Sequence, residues 1–418
     1  MSEKVKYLLL GGGIGSVSTA AALRKFDGSS RILILEKSAQ LPYNRPRLSK
    51  TWLKGYDPKE HLIHPPAFYK EKGVEIQTEA TVERLVPGEH RAVLLDGTDI
   101  VYEKCLYGLG AVSYLPPIKG ADIPGVLTIR TAEDIFRLKK RLACAKTALI
   151  IGGGVIGLEL ALTLAAVKID VTVVEGASYL LSRFLDRQMA GALRTRLELE
   201  RIRVLTGAPV SEIRREHTAW QAVLKDGLNL KGDMVILCAG VRPNTGLAKD
   251  AGLITDRGVI ADNTFRTSDP DVYTCGDSMQ RNQRAESSWA EILSQAPFVA
   301  ENMAGGIRCY PDIPVPKILN SGRIWLYSIG DIGKKDGSRY ERLIPERMDV
   351  CRNRFRVNPE ITGSLEPLVS VYVSGGIVVG AAMINDWRLM NRLRLAVREG
   401  WPVEKLAEKG VALCSTDC

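Results

Sequence analysis

The sequence predicts an α/β protein carrying two Rossmann-like dinucleotide-binding domains. Two observations predict it: a glycine-rich turn follows an apolar strand twice, about 140 residues apart, and each turn is answered by a glutamate at the end of the next strand. A third is compositional. At 418 residues, with 45% hydrophobic and 25% charged side chains, the chain is long enough for two or three domains with buried cores and is not a disordered polymer.

The first turn, Leu10-Gly11-Gly-Gly-Ile-Gly15-Ser16, follows an apolar run and precedes a second run that ends on Glu36. The second, Ile151-Gly152-Gly-Gly-Val-Ile156-Gly157, is followed by a run that ends on Glu175. One glycine ends the strand in a tight turn, a second lets the backbone approach a pyrophosphate, and a third packs helix on strand. The helix N-terminus, with its free N–H groups and positive dipole end, then faces the phosphates. Gly152, Gly154 and Gly157 fill all three places, and Glu175 is positioned to accept from a ribose diol. In the first copy Gly11 and Gly13 fit, but Ser16 takes the third place, so a slightly wider helix crossing is expected there.

Residues 147–167 are apolar enough to suggest a membrane span, yet they hold three consecutive glycines and Glu159, and read as a buried strand and its helix. The N-terminal run collapses into glycines instead of a cleavage site, so a cytoplasmic location is expected. The eight cysteines show no paired metal-binding spacing and are expected to be mostly reduced core thiols. Cys414 and Cys418 lie on a polar tail, either as two free thiols or as a pair that closes a disulfide or contacts a partner's cluster. The net charge of +9 favours acidic partners through long-range steering. Arg352, Arg354 and Arg356 alternate, forming either a solvated face or a docking stripe. Nucleic-acid binding is not supported, because aromatic residues are only 6% and no recognition module is present.

These residues carry a resemblance. Residues 1 to about 310 resemble the FAD-dependent pyridine nucleotide-disulfide oxidoreductases. Leu41-Pro-Tyr-Asn-Arg-Pro-Arg-Leu-Ser-Lys50 is similar to the flavin-contacting segment of rubredoxin reductases, oxygenase-type ferredoxin reductases and the flavin module of nitrite reductase. Thr267-Ser-Asp-Pro-Asp-Val-Tyr-Thr-Cys-Gly-Asp277 resembles the second FAD motif, and residues 108–111 and 235–244 resemble the two crossovers between FAD and NAD domains. The resemblance implies an FAD domain on residues 1–115 and 244–309, interrupted by an NAD domain on 116–243, with a C-terminal α/β interface domain on 310–418. That last domain often mediates dimer contact in the family, which leaves homodimerisation open. The same match implies FAD contacts at Gly11, Gly13, Gly15, Glu36, Arg45, Pro46, Gly110, Arg130, Gly276 and Asp277. NAD(H) contacts are implied at Gly152, Gly154, Ile156, Gly157, Glu175 and Gly240.

Disulfide reductases of the family set a reactive cysteine against the flavin, and here Ala39-Gln-Leu-Pro-Tyr43 occupies that segment. Ala39 stands where the sulfur would be, which implies that electrons leave the flavin without a thiol relay. Lys50 and Glu159 are the expected catalytic pair. The lysine would stabilise negative charge on reduced flavin, and the carboxylate would hold that lysine and shape the nicotinamide slot. The implied activity is an NADH-dependent FAD reductase passing single electrons to an acidic iron–sulfur protein, or running in reverse. An NADH-sensing flavoprotein scaffold and an electron-entry subunit of a larger complex stay open as alternatives.

Overall fold

The computed structural model describes residues 3–50, 57–285, 288–333, 340–345, 367–411 and 413–415. Backbone contacts divide the chain into two compact units. The first comprises residues 1–114, 130–132 and 241–312; the second comprises 115–129, 133–240 and 313–418.

The first unit is organised by a seven-stranded sheet. Val74–Gln77, Ile32–Leu35, Glu3–Leu10 and Asp99–Tyr107 run parallel in that order. Asp99–Tyr107 then forks. Its last residues pair in parallel with Val272–Thr274, and its first residues begin an antiparallel extension through Arg91–Leu94 and Val82–Val86. The central strands read as continuous apolar runs because both faces are covered, as parallel sheets require. One face packs the helices Ile14–Leu23 and Trp289–Met303 around Tyr7, Leu9, Val17, Leu23 and Val299. The other buries Leu8, Leu10, Leu33, Leu35 and Tyr107.

The second unit holds an all-parallel five-stranded sheet, in the order Ile202–Leu205, Asp170–Val174, Thr147–Ile151, Met234–Leu237 and Leu127–Thr128. The apolar stretch that could suggest a membrane span is the strand Thr147–Ile151 and the helix Val155–Ala166. No helix among the described residues is long and apolar enough to cross a membrane. An antiparallel meander of Val210–Glu216, Ala219–Leu224 and Asn229–Gly232 lies beside this sheet and buries Trp220 with Leu149 and Val235.

The same unit contains a six-stranded antiparallel sheet with its own core of Tyr327, Val371, Met383, Leu393 and Leu406. One of its two edge strands is Leu413–Ser415, paired with Glu341–Pro345. The segment that reads as a polar tail therefore enters the sheet as far as residue 415, because its backbone groups complete an edge ladder. Cys418 and the stripe Arg352, Arg354 and Arg356 lie outside the described residues.

Candidate functional site

Both glycine turns adopt the same construction. Gly11 and Gly152 have φ of +89° and +114°, in the left-handed region that a side chain rarely tolerates. Each donates its N–H to the end of the neighbouring strand, Gly11 to Leu35 O at 2.7 Å and Gly152 to Val174 O at 2.9 Å. Gly13 and Gly154 are the N-cap residues of the helices Ile14–Leu23 and Val155–Ala166. A Cβ on either would meet nothing within 4 Å. Neither helix has a capping side chain or an acidic residue in its first turn, so N–H groups and open space coincide where a pyrophosphate would lie.

The two glutamates have a role beyond the one expected from sequence. Glu36 accepts from Gly12 N at 2.7 Å and Ser38 N at 2.9 Å. Glu175 accepts from Gly153 N and Ala177 N, both at 2.7 Å. Each carboxylate ties the glycine turn to the loop that follows it, and each oxygen keeps a second lone-pair direction for a ribose hydroxyl.

The third place differs in an instructive way. A Cβ on Gly157 would overlap the Gly152 carbonyl oxygen and lie 3.2 Å from Cys238 Cβ, so the second helix needs glycine there. In the first copy Ser16 is buried, and the residue across from it on the strand side is Gly108, whose absent Cβ would overlap Ser16 Oγ. Gly108 and Cys238 hold equivalent places, since their N–H groups bond to Leu10 O and Ile151 O. The side-chain volume has changed sides.

Around the first turn, Gly110 and Gly276 also have positive φ. A Cβ on Gly15 would come within 2.8 Å of Cys275 Sγ. That thiol is buried and pushed up to about 12, chiefly by burial, so it packs as a small apolar group. Asp277 lies on a short 3-10 turn, Gly276–Ser278, held by Gln295 Oε1, which accepts from Gly276 N at 3.0 Å, and by Ser278 Oγ, which donates to Tyr107 O at 3.1 Å. Arg130 Nη2 meets Asp277 Oδ2 at 2.7 Å while its Nε donates to Ala111 O at 3.0 Å. Arg130 is thus an anchored partner of the motif carboxylate.

In the flavin-contact segment, Arg45 lies over the Tyr43 ring at 5.9 Å, and Arg45 and Lys50 are half-buried while Pro46 is exposed. Tyr43 OH accepts from Ala132 N at 3.1 Å, joining this segment to the stretch that carries Arg130. Gln40 Oε1 and Asn44 Oδ1 are buried acceptors with no partner among the described residues. Orphaned acceptors beside a phosphate-ready helix suit a large ligand with N–H and O–H donors, as FAD is. Sequence reading missed Tyr43, Gln40 and Asn44, although Tyr43 and Asn44 lie within the motif and Gln40 immediately before it.

In the second unit Ile156 is partly exposed on the first turn of its helix, and Gly240 has φ +101° with nothing within 4 Å of a Cβ. Glu159 is 4% exposed, and its carbonyl accepts from Thr163 Oγ1 at 2.8 Å. Lys50 belongs to the first unit and Glu159 to the second.

Two dinucleotide turns, one with an ion-paired motif carboxylate, define a nucleotide-dependent redox protein of the two-fold Rossmann class. The chain belongs to the pyridine nucleotide-disulphide oxidoreductase family, whose family model matches residues 5–293. It is an NAD(H)-dependent flavoprotein reductase using FAD. It is 29% identical over 410 residues to a NADH oxidase of Methanocaldococcus jannaschii, covering 93% of this chain and 89% of that protein. Identity to the rubredoxin-NAD(+) reductase of Pseudomonas putida is 30% over 307 residues, 71% of this chain and 80% of the relative. The crystal structure of the ferredoxin reductase for the CYP199A2 system from Rhodopseudomonas palustris matches with a TM-score of 0.86 at 26% identity, over 97% of this chain and 100% of that one.

Proposed function

We propose that the chain transfers reducing equivalents from NADH to an acidic iron–sulfur protein of the ferredoxin or rubredoxin type, with FAD on 1–115 and 244–309 and NAD(H) on 116–243. Bound FAD would supply the conversion between a two-electron donor and a one-electron acceptor. The chain's own residues do the rest. The turns at Gly13 and Gly154 orient the two pyrophosphates, Glu36 and Glu175 accept from the riboses, and the Arg130 and Asp277 pair fixes the second FAD motif. Lys50 would offset negative charge that accumulates with the electrons, and Glu159 would shape the nicotinamide slot.

The observation that carries the acceptor reading is an alanine at the position where the resemblance sets the relay thiol. Ala39 occupies the relay position and is exposed. Among the described cysteines, Cys105, Cys238 and Cys275 have thiols raised by burial. The relatives named for rubredoxin or ferredoxin reduction and the charge of +9 support the same acceptor class. A small acceptor such as oxygen is the second reading, favoured by the NADH oxidase match, which covers 93% of this chain against 71% for the rubredoxin reductase match.

The test is turnover with NADH and an acidic [2Fe–2S] ferredoxin or rubredoxin, compared with oxygen consumption. Protein-acceptor turnover should fall several-fold from low to high salt while NADH reduction of the bound flavin changes little. Negligible turnover with either protein and rapid oxygen reduction would establish the second reading.

A further inference from the structure

Between Glu175 and the helix Arg187–Leu199 the chain forms a loop, residues 176–186, that is held at both ends. At the nucleotide end Glu175 accepts from Gly153 N and Ala177 N, and Leu180 lies so close beneath the turn that a Cβ on Gly153 would be 2.6 Å from its Cδ2. At the far end Asp186 caps the helix, Oδ1 accepting from Met189 N at 2.7 Å. Between them Leu181 is buried with φ +49°. A branched residue in that region costs roughly 1–3 kcal/mol and persists only where its surroundings over-determine it.

The C-terminal sheet supplies that determination. Ser328 Oγ donates to Phe184 O at 2.6 Å. Tyr372 OH donates to Asp186 Oδ2 at 2.7 Å, and Arg342 Nε faces the same oxygen at 3.3 Å. The Arg342 guanidinium is itself fixed, donating to Gln188 Oε1 and to Ser370 Oγ. Burial, and then Asp186 beside it, raises the Tyr372 phenol far above its ordinary value, so it remains a donor at any working pH. Three strands, Ile324–Gly330, Glu341–Pro345 and Leu368–Ser374, therefore each send one side chain to this loop.

We propose that Tyr372, Arg342 and Ser328 are positioning residues for the NAD(H) site, acting through Asp186 and loop 176–186 on Gly153 and Glu175. The C-terminal sheet is in this sense the outer wall of the pyridine-nucleotide site. The inference rests on NAD(H) use alone, so it stands or falls separately from the iron–sulfur acceptor.

The experiment is anaerobic stopped-flow reduction of the FAD-loaded protein over a range of NADH concentrations. Tyr372→Phe should raise the apparent Kd for NADH by about tenfold or more, the loss of one hydrogen bond to a charged group, with the limiting rate within about twofold and the FAD content unchanged. Ser328→Ala should raise it about threefold or more. Tyr327→Phe is the control, because that hydroxyl is buried in the same sheet with no partner among the described residues; its Kd should not move. Should Tyr372→Phe fail to fold, Ser328→Ala decides. An unchanged Kd in the folded variants, a loss confined to the limiting rate, or an equal rise in Tyr327→Phe would overturn the proposal.

Discussion

Replacing Gly108 by alanine should loosen the FAD site, and the loss should be largely reversed by removing one oxygen 92 positions earlier. The new Cβ would overlap Ser16 Oγ and lie 3.0 Å from Leu10 O, while remaining 3.8 Å from Ser16 Cβ, an ordinary contact. The backbone at 108 is not in the left-handed region, so the cost is overpacking, on the order of 1–3 kcal/mol. Ser16 Oγ is buried with no partner among the described residues, so Ser16→Ala alone should be neutral or slightly stabilising. In the double variant only the Leu10 contact remains tight, and the second turn tolerates a Cβ there at Cys238. A double-mutant cycle on FAD affinity, with urea midpoints of flavin release alongside, should give a coupling of about 1–2 kcal/mol. Effects that add to within about 0.3–0.5 kcal/mol would refute the exchange of volume between the two positions.

Three further outcomes follow from the geometry. Wild-type protein should favour NADH over NADPH by ~10- to 100-fold in kcat/KM, because Glu175 faces a 2′-phosphate with like charge; equal values would exclude that role. Arg130→Ala and Asp277→Ala should each weaken FAD binding by roughly tenfold or more, since either removes one half of a partly buried ion pair, and full flavin occupancy after dialysis would count against both assignments. The hydrogen bond from Lys6, followed by that from Ser30 N, holds the Asp27 carboxyl well below the usual carboxylate range. Its stabilisation is therefore present above the unfolded value near ~3.9 and lost as pH falls toward the folded value. Asp27→Asn should flatten the acid limb of stability below about pH 4, read by denaturation at stepped pH, and an unchanged limb would refute this.

The two turns were legible because everything they need is local: strand, glycines, helix and acid fall within about 30 residues, a spacing that few other purposes require. The parallel sheets followed from the same pattern. What the sequence hid is set by long-range contact. Nothing in the local pattern at Ser16 says that a missing Cβ at Gly108 accommodates it, and nothing near Asp186 points to Tyr372 or Arg342. The Arg130 and Asp277 partnership also joins distant segments, although each residue was singled out separately. Tyr43, Gln40 and Asn44 were overlooked for another reason: motif reading favours glycines and charges, whereas these act through one hydroxyl and two buried amide oxygens.

The double duty of Glu175 bears on attempts to redesign nucleotide preference. Its oxygens accept from Gly153 N and Ala177 N, so the residue that would repel a 2′-phosphate also organises the turn that receives the pyrophosphate. An exchange for a small or basic residue removes both amide acceptors together, and the turn then meets its ligand as an ensemble, with ordering entropy added to every binding event. Specificity and preorganisation are in this sense encoded in the same two atoms. A switch to NADPH built on the first principle alone should trade away affinity for both nucleotides, unless a second substitution returns acceptors to the two stranded amides.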